Sequence, residues 1–200
     1  MALVPPLDDD QFDPDLLEFV QFFKGPLGVI PNSVRTMARW PEVARAFTNL
    51  NISIMKCEAG VTPEFKRLIG YMTSYISGCR YCQAHTILGS ERFGSSEARL
   101  NDVWNFEESE HFNDAEKSAL WFARAAAMVP NEVDEEISNN LRLHWDRGEI
   151  VEITAVIALF GFLNRWNDSM GSVLEDLPVE AGEKYLQKNG WDVGKHQSTH

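Results

Sequence analysis

The chain has 200 residues, 44% of them hydrophobic and 11% aromatic, enough to bury one substantial core. Its 18 Lys and Arg are outnumbered by 30 Asp and Glu, giving a formal charge of −12 and a pI near 4.8, and they form no basic block; a nucleic-acid partner is therefore not expected. The three cysteines, at 57, 79 and 82, do not suit the disulfide framework of a small secreted fold, and a reducing compartment fits them better.

Met1 to Leu7, followed by three Asp, has neither the basic nor the apolar region of a secretion signal, so a cytoplasmic chain is expected. Helical periodicity then recurs almost throughout, which predicts an all-α class. Asp13 and Pro14 start a helix carrying Leu16, Phe19, Val20 and Phe23, and Gly25-Pro26 is expected to end it. A short helix around Ser33 to Arg39 precedes a long one that enters through Pro41, carries Val43, Phe47, Leu50 and Ile54, and ends near Gly60. Thr62-Pro63-Glu64 opens the next, with Phe65, Leu68, Ile69, Met72 and Ile76 on one face, and Ser77-Gly78 interrupts it. A fresh helix from about Cys79 to Phe93 follows, and Gly94-Ser95 opens a shorter one to about Trp104.

Asn113-Asp114-Ala115-Glu116 has the pattern of a capping box and feeds Ala119, Phe122, Ala126 and Val129. Another helix runs from Asp134 through Ile137, Leu141 and Trp145, and Asp146-Arg147-Gly148 separates it from a buried helix over 149–168. The apolar stretch Ile150 to Leu163 is well short of the ~20 residues needed to cross a bilayer, so no membrane partner is expected. Residues 175 to 200 suggest one short helix, Val179 to Lys188, and a mobile polar end. The organisation expected is a single all-helical domain over 1–200, with extensions at 1–12 and about 190–200.

The chemistry concentrates on Cys79-Arg80-Tyr81-Cys82-Gln83-Ala84-His85. Cysteines at i and i+3 on a helix bring two sulfurs close enough to form and break an internal disulfide. A helix start, with free amides and the positive end of the dipole, favours a thiolate. His85 lies about one turn past Cys82, placed to act as a base or cationic partner of that thiol. Two other readings remain open: inert buried thiols, or half of a zinc site using Cys79, Cys82 and His85. No second CxxC or HxxxH supplies a fourth ligand, and no metal or cofactor is expected. Tyr81 is assigned to packing with its hydroxyl at the rim. Asn164, Arg165, Asn167 and Asp168 read as a helix end with an Arg165 to Asp168 pair, or else as a site wall or subunit contact. His111, His144, His196 and His200 have no companion at metal or triad spacing, and Cys57 reads as a packed free thiol.

Gly78 to His85 resembles the signature of the AhpD-like, carboxymuconolactone decarboxylase family. Phe112 to Leu120, and Glu149 to Ile153 with Leu163 to Asp168, resemble later helices of its peroxidase-related members, so the likeness covers about residues 30 to 190. The resemblance implies an all-α AhpD-like bundle that assembles into dimers, trimers or hexamers. It implies reduction of an organic hydroperoxide, with Cys82 as nucleophile, Cys79 as the resolving thiol, His85 in the proton relay and an external thiol or dithiol as electron donor. Two positions depart from that pattern. The best-studied branch has its histidine four residues after the second cysteine, and the gap of three here turns the imidazole by about 100°. Its relay glutamate falls at Arg67, which leaves Glu64, Glu97 or Glu108 as replacements. Arg67 itself either faces solvent beside Lys66 or stabilises a thiolate. Competing functions are the family's lactone decarboxylation, which has no need of vicinal thiols, and a non-enzymatic redox-sensing oligomer.

Overall fold

The computed structural model describes residues 2–56 and 60–198, so Cys57 lies outside the described residues. Side-chain caps set many of the helix starts. The Asp13 carboxylate accepts from Leu16 N at 2.9 Å and begins α1 (Pro14–Val20). Gly25-Pro26 does not end this region. A 3₁₀ turn over Gln21–Phe23 leads into a short helix, α2 (Lys24–Leu27), which stops only at Gly28, where φ is +78°. Pro26 is tolerated because a first-turn residue has no intrahelical N–H bond to lose.

After α3 (Asn32–Met37) and α4 (Pro41–Met55), Thr62 Oγ1 accepts from Phe65 N and opens α5 (Pro63–Ile76). Gly78, at φ +73°, breaks the chain path, and the next helix, α6 (Arg80–Arg92), begins with Cys79 as its extended N-cap. Cys79 therefore sits at the mouth of α6 and Cys82 in its first turn.

Ser96 caps α7 (Glu97–Asp102), and Asn113 and Glu116 form the expected box at α8 (Asp114–Ala127). Val129 lies beyond the end of α8 and is 79% exposed. Asp134 caps α9 (Glu135–His144). Asp146 is not a separator. It forms a second capping box with Glu149, so α10 (Arg147–Met170) starts earlier than expected and runs on to Gly171. Its outer face is exposed at Val151 and Phe162, so it is half-buried rather than buried all round. The last helix, α11 (Asp176–Tyr185), starts three residues before Val179 because Pro178 fits in a first turn.

Helix α5 is central and packs against α6, α8 and α10, while α6 is also flanked by α11. Lys66 is fully buried on α5, pairing with Glu152 at 2.5 Å and donating to the Ile54 carbonyl at 2.7 Å. No strand occurs among the described residues, and no helix there is long and apolar enough to cross a membrane. The C-terminal segment does not trail away. Trp191 packs so close to Gly182 that a Cβ there would lie 2.5 Å from the indole, and the Leu174 amide donates to the His196 carbonyl.

Candidate active site

Cys79 and Cys82 are both reduced and buried. The Cys82 thiol faces the Cys79 sulfur. This hydrogen bond, helped by the amides of Cys82 and Tyr81 at the open end of α6, lowers the Cys79 pKa against the opposing effect of burial. Burial raises the Cys82 pKa well above that of a free thiol, and donation to Cys79 adds to the rise. Asn167 opposes it, donating from Nδ2 to Cys82 Sγ at 3.3 Å. The pair therefore holds its first negative charge on Cys79 and its proton on Cys82.

Cys82 forms part of the wall of a cavity of about 400 Å³. Phe22, Phe23, Phe47, Phe93 and Phe160 give that cavity an aromatic lining, and Arg67, His85 and Asn167 supply polar groups. It suits a small apolar molecule held against the Cys82 sulfur by a few polar contacts.

His85 shares this cavity but does not bond to Cys82. Its Nδ1 faces the Tyr81 carbonyl at 3.1 Å, so Nδ1 must be the donor there, and its Nε2 lies 3.0 Å from Glu175 Oε2. With Nδ1 donating, that contact has to hold a proton between imidazole and carboxylate. The ring stacks on Tyr81 with centroids 4.3 Å apart. The shorter gap after Cys82 thus turns the histidine toward Glu175 and away from the sulfur.

Glu175 is the carboxylate that sequence reasoning missed. It precedes α11 and accepts from the Asn32 amide and from the Tyr81 hydroxyl at 3.0 Å. Burial would raise its pKa, but the charge and hydrogen bond of His85, with the Asn32 amide, outweigh this and lower it. Glu64, considered as the relay, instead joins Arg99 and Ser95, and Glu97 and Glu108 are exposed. Tyr81 is not at a rim. It is buried, accepts from the Ser33 amide at 3.2 Å, and has its pKa raised by burial and by Glu175.

Arg67 does not face solvent. It lines the cavity, its guanidinium lies 3.7 Å over the Phe93 ring, and burial lowers its pKa to about 10. Gly89 makes room for it, since a Cβ there would lie 2.8 Å from Arg67 Cδ. The polar cluster of α10 is a site wall: Asn167 reaches Cys82, and Asp168 pairs with Lys195 at 2.8 Å rather than with Arg165. Cys79, Asp168 and His196 bring one donor atom each within 4.8 Å of one another, the one such trio of metal-ligand types among the described residues.

A helical shell that places a vicinal dithiol at a helix start, beside an apolar cavity with a His–Glu pair, defines a helical thiol protein. The sequence profile of the carboxymuconolactone decarboxylase family matches residues 41–125. The debrominase Bmp8 is 31% identical and superimposes with a TM-score of 0.87 over 92% of this chain and 98% of that one. A cysteine-to-alanine variant of Bmp8, in complex with 2,3,4-tribromopyrrole, superimposes equally well at 30% identity. YnjA of Escherichia coli K12 is 31% identical over 119 residues, which are 59% of this chain and 62% of YnjA, so the match spans less than two thirds of that relative. An alkylhydroperoxidase AhpD core, peroxidase-related protein from Ralstonia eutropha JMP134, shares the fold at a TM-score of 0.77 and 22% identity, covering 92% of this chain and 95% of that one. The chain belongs to the carboxymuconolactone decarboxylase family and has the AhpD-like all-α fold.

Proposed function

We propose that this chain is a dithiol reductase of a small apolar electrophile, with an organic hydroperoxide as substrate and an external thiol as electron donor. The observation that carries this reading is the position of Cys82 in the wall of an aromatic cavity, with the His85–Glu175 pair in reach of that cavity and Cys79 behind it. As Cys82 attacks, its proton passes to the Cys79 thiolate. The Cys82 sulfur takes the distal oxygen of the hydroperoxide, the O–O bond breaks, and the departing alkoxide takes a proton from the His85–Glu175 pair. Cys79 then attacks the Cys82 sulfenic acid, forming the disulfide and releasing water. Two equivalents of external thiol restore the dithiol.

A second reading, reductive dehalogenation, is favoured by the aromatic lining and the likeness to Bmp8. There the Cys82 thiolate would take a halogen from an aromatic ring, the ring carbanion would gain the proton, and Cys79 would displace halide to give the same disulfide. Lactone decarboxylation leaves the buried dithiol without a role.

Steady-state turnover with dithiothreitol, comparing cumene hydroperoxide with 2,3,4-tribromopyrrole, separates these readings. Cys82→Ala should abolish either reaction, and Cys79→Ala should stall after one turnover. If neither substrate oxidises the dithiol, the reductase reading fails.

A further inference from the structure

We propose that His196, from the C-terminal segment, is the proton-transfer residue of the resolving thiol Cys79. The inference rests on the dithiol reading above and adds a second histidine to it, one whose ring, like that of His85, packs against Tyr81.

The geometry is built rather than incidental. His196 is 1% exposed and sits at the end of a 3₁₀ turn, Gly194–His196. Its position is fixed by the Leu174 amide on its carbonyl at 2.9 Å, by Trp191 donating to the Arg80 carbonyl at 3.1 Å, and by the ion pair of Arg80 with Asp192. The partner of His196 Nδ1 is the Ser172 carbonyl, at 2.8 Å. A carbonyl only accepts, so Nδ1 carries the proton and Nε2 keeps its lone pair. Nε2 is 3.7 Å from Asp168 Oδ1, too far for a hydrogen bond. It is thus an unoccupied base in the group where Cys79, Asp168 and His196 lie within 4.8 Å of one another, a reach that a small shift or one bridging water closes.

The charged groups facing this imidazole are Asp168 from α10, Lys195 of its own turn and Arg80 from α6, with the Cys79 sulfur at the start of α6. Burial, with Lys195 and Arg80, outweighs Asp168 and the Ser172 carbonyl and lowers the His196 pKa, so the resting ring is the neutral base, with the Tyr81 ring packed beside it at 5.8 Å between centroids. A shallow depression lined by Gly78, Arg80, Asp168 and Lys195 gives the ring a route for protons to solvent.

In the peroxide cycle, Cys79 gains a proton when Cys82 attacks and must lose it before it can resolve the sulfenic acid. His196 Nε2 takes that proton, the Cys79 sulfur bonds to the Cys82 sulfur, and the departing hydroxide leaves as water with the proton returned by the imidazolium. The two histidines then divide the work, His85 with Glu175 serving the departing alkoxide and His196 the resolving sulfur.

His196→Asn keeps a donor where Nδ1 stands and removes Nε2. The first measurement needs no substrate: thiolate absorbance near 240 nm is titrated from pH 5 to 10 in Cys82→Ser, with and without His196→Asn. Loss of the acceptor Nε2, to which the Cys79 thiol can pass its proton, should raise the Cys79 midpoint by about one pH unit. The second is single turnover with cumene hydroperoxide, in which His196→Asn should slow disulfide formation by about 100-fold while Cys82 sulfenic acid accumulates and is trapped by dimedone. Imidazole added to His196→Ala should restore part of the rate. An unchanged midpoint, or disulfide formation at the wild-type rate and pH dependence, overturns the inference. If His196→Asn fails to fold, His196→Gln, which likewise lacks the basic imidazole nitrogen, is measured in its place, and an unchanged midpoint and rate there are equally adverse. A shifted midpoint with no peroxide-driven oxidation of wild type would instead overturn the reductase reading and leave the His196–Cys79 coupling standing.

Discussion

Single contacts decide how reactive the two sulfurs are. Asn167 donates to Cys82 Sγ against the upward push of burial, so Asn167→Ala should raise the Cys82 pKa further. A hydrogen bond to a charged sulfur worth ~1.5 kcal/mol corresponds to about tenfold slower alkylation near neutral pH. Iodoacetamide rates from pH 6 to 10 check this, and superimposable profiles would count against the bond. Glu175 has a lowered pKa, so it stabilises the fold above the unfolded carboxylate value of about 4.3 and loses that contribution as pH falls through its folded value. Glu175→Gln should flatten stability across that acid range and cost roughly 1–3 kcal/mol at neutral pH by weakening the buried partnership with His85. Urea unfolding at pH 3.5, 5 and 7 tests both. The pairing of Cys79 with Cys82 was legible because it is local, within one turn at a helix start, whereas the engagement of His85 with Glu175 in place of Cys82 was not. Glu175 and His196 were hidden because each reaches His85 or Cys79 from more than 80 residues away along the chain, and Asn167 was legible only as one of a polar cluster whose partner could not be named. Only the crossing of α6 with α10 and the C-terminal segment brings them in.

At the level of elements, caps were the readable signal. Asp13, Thr62, Asn113 and Asp134 each hold the amide that their spacing implied. The failures were prolines and a cap taken for a break: Pro26 and Pro178 sit harmlessly in first turns, and Asp146 starts α10 rather than preceding it. The contact that sets the spacing of α5 and α10 is Gly70 against the ring of Phe160, where a Cβ would lie 2.4 Å from Cε2. Alanine gains about 1 kcal/mol over glycine inside a helix, but overpacking a rigid ring costs typically 1–3 kcal/mol. Gly70→Ala should therefore be net destabilising and, because Phe160 lines the cavity, should also raise KM. Urea unfolding that showed a gain in stability would mean that the ring yields freely.

For the molecule as a whole, large apolar side chains such as Trp40, Val151 and Phe162 stand exposed on a surface of strong negative charge. Self-association is the expected remedy, and light scattering at micromolar concentration should give a mass above 22.7 kDa. Finding 22.7 kDa would leave those side chains to another explanation. The family profile ends at residue 125, so it contains both sulfurs and His85 but excludes Asn167, Asp168, Glu175 and His196. The reactive pair and the side chains that contact it are thus carried by different parts of the chain, so substitutions in its last quarter can retune the thiols without touching either cysteine.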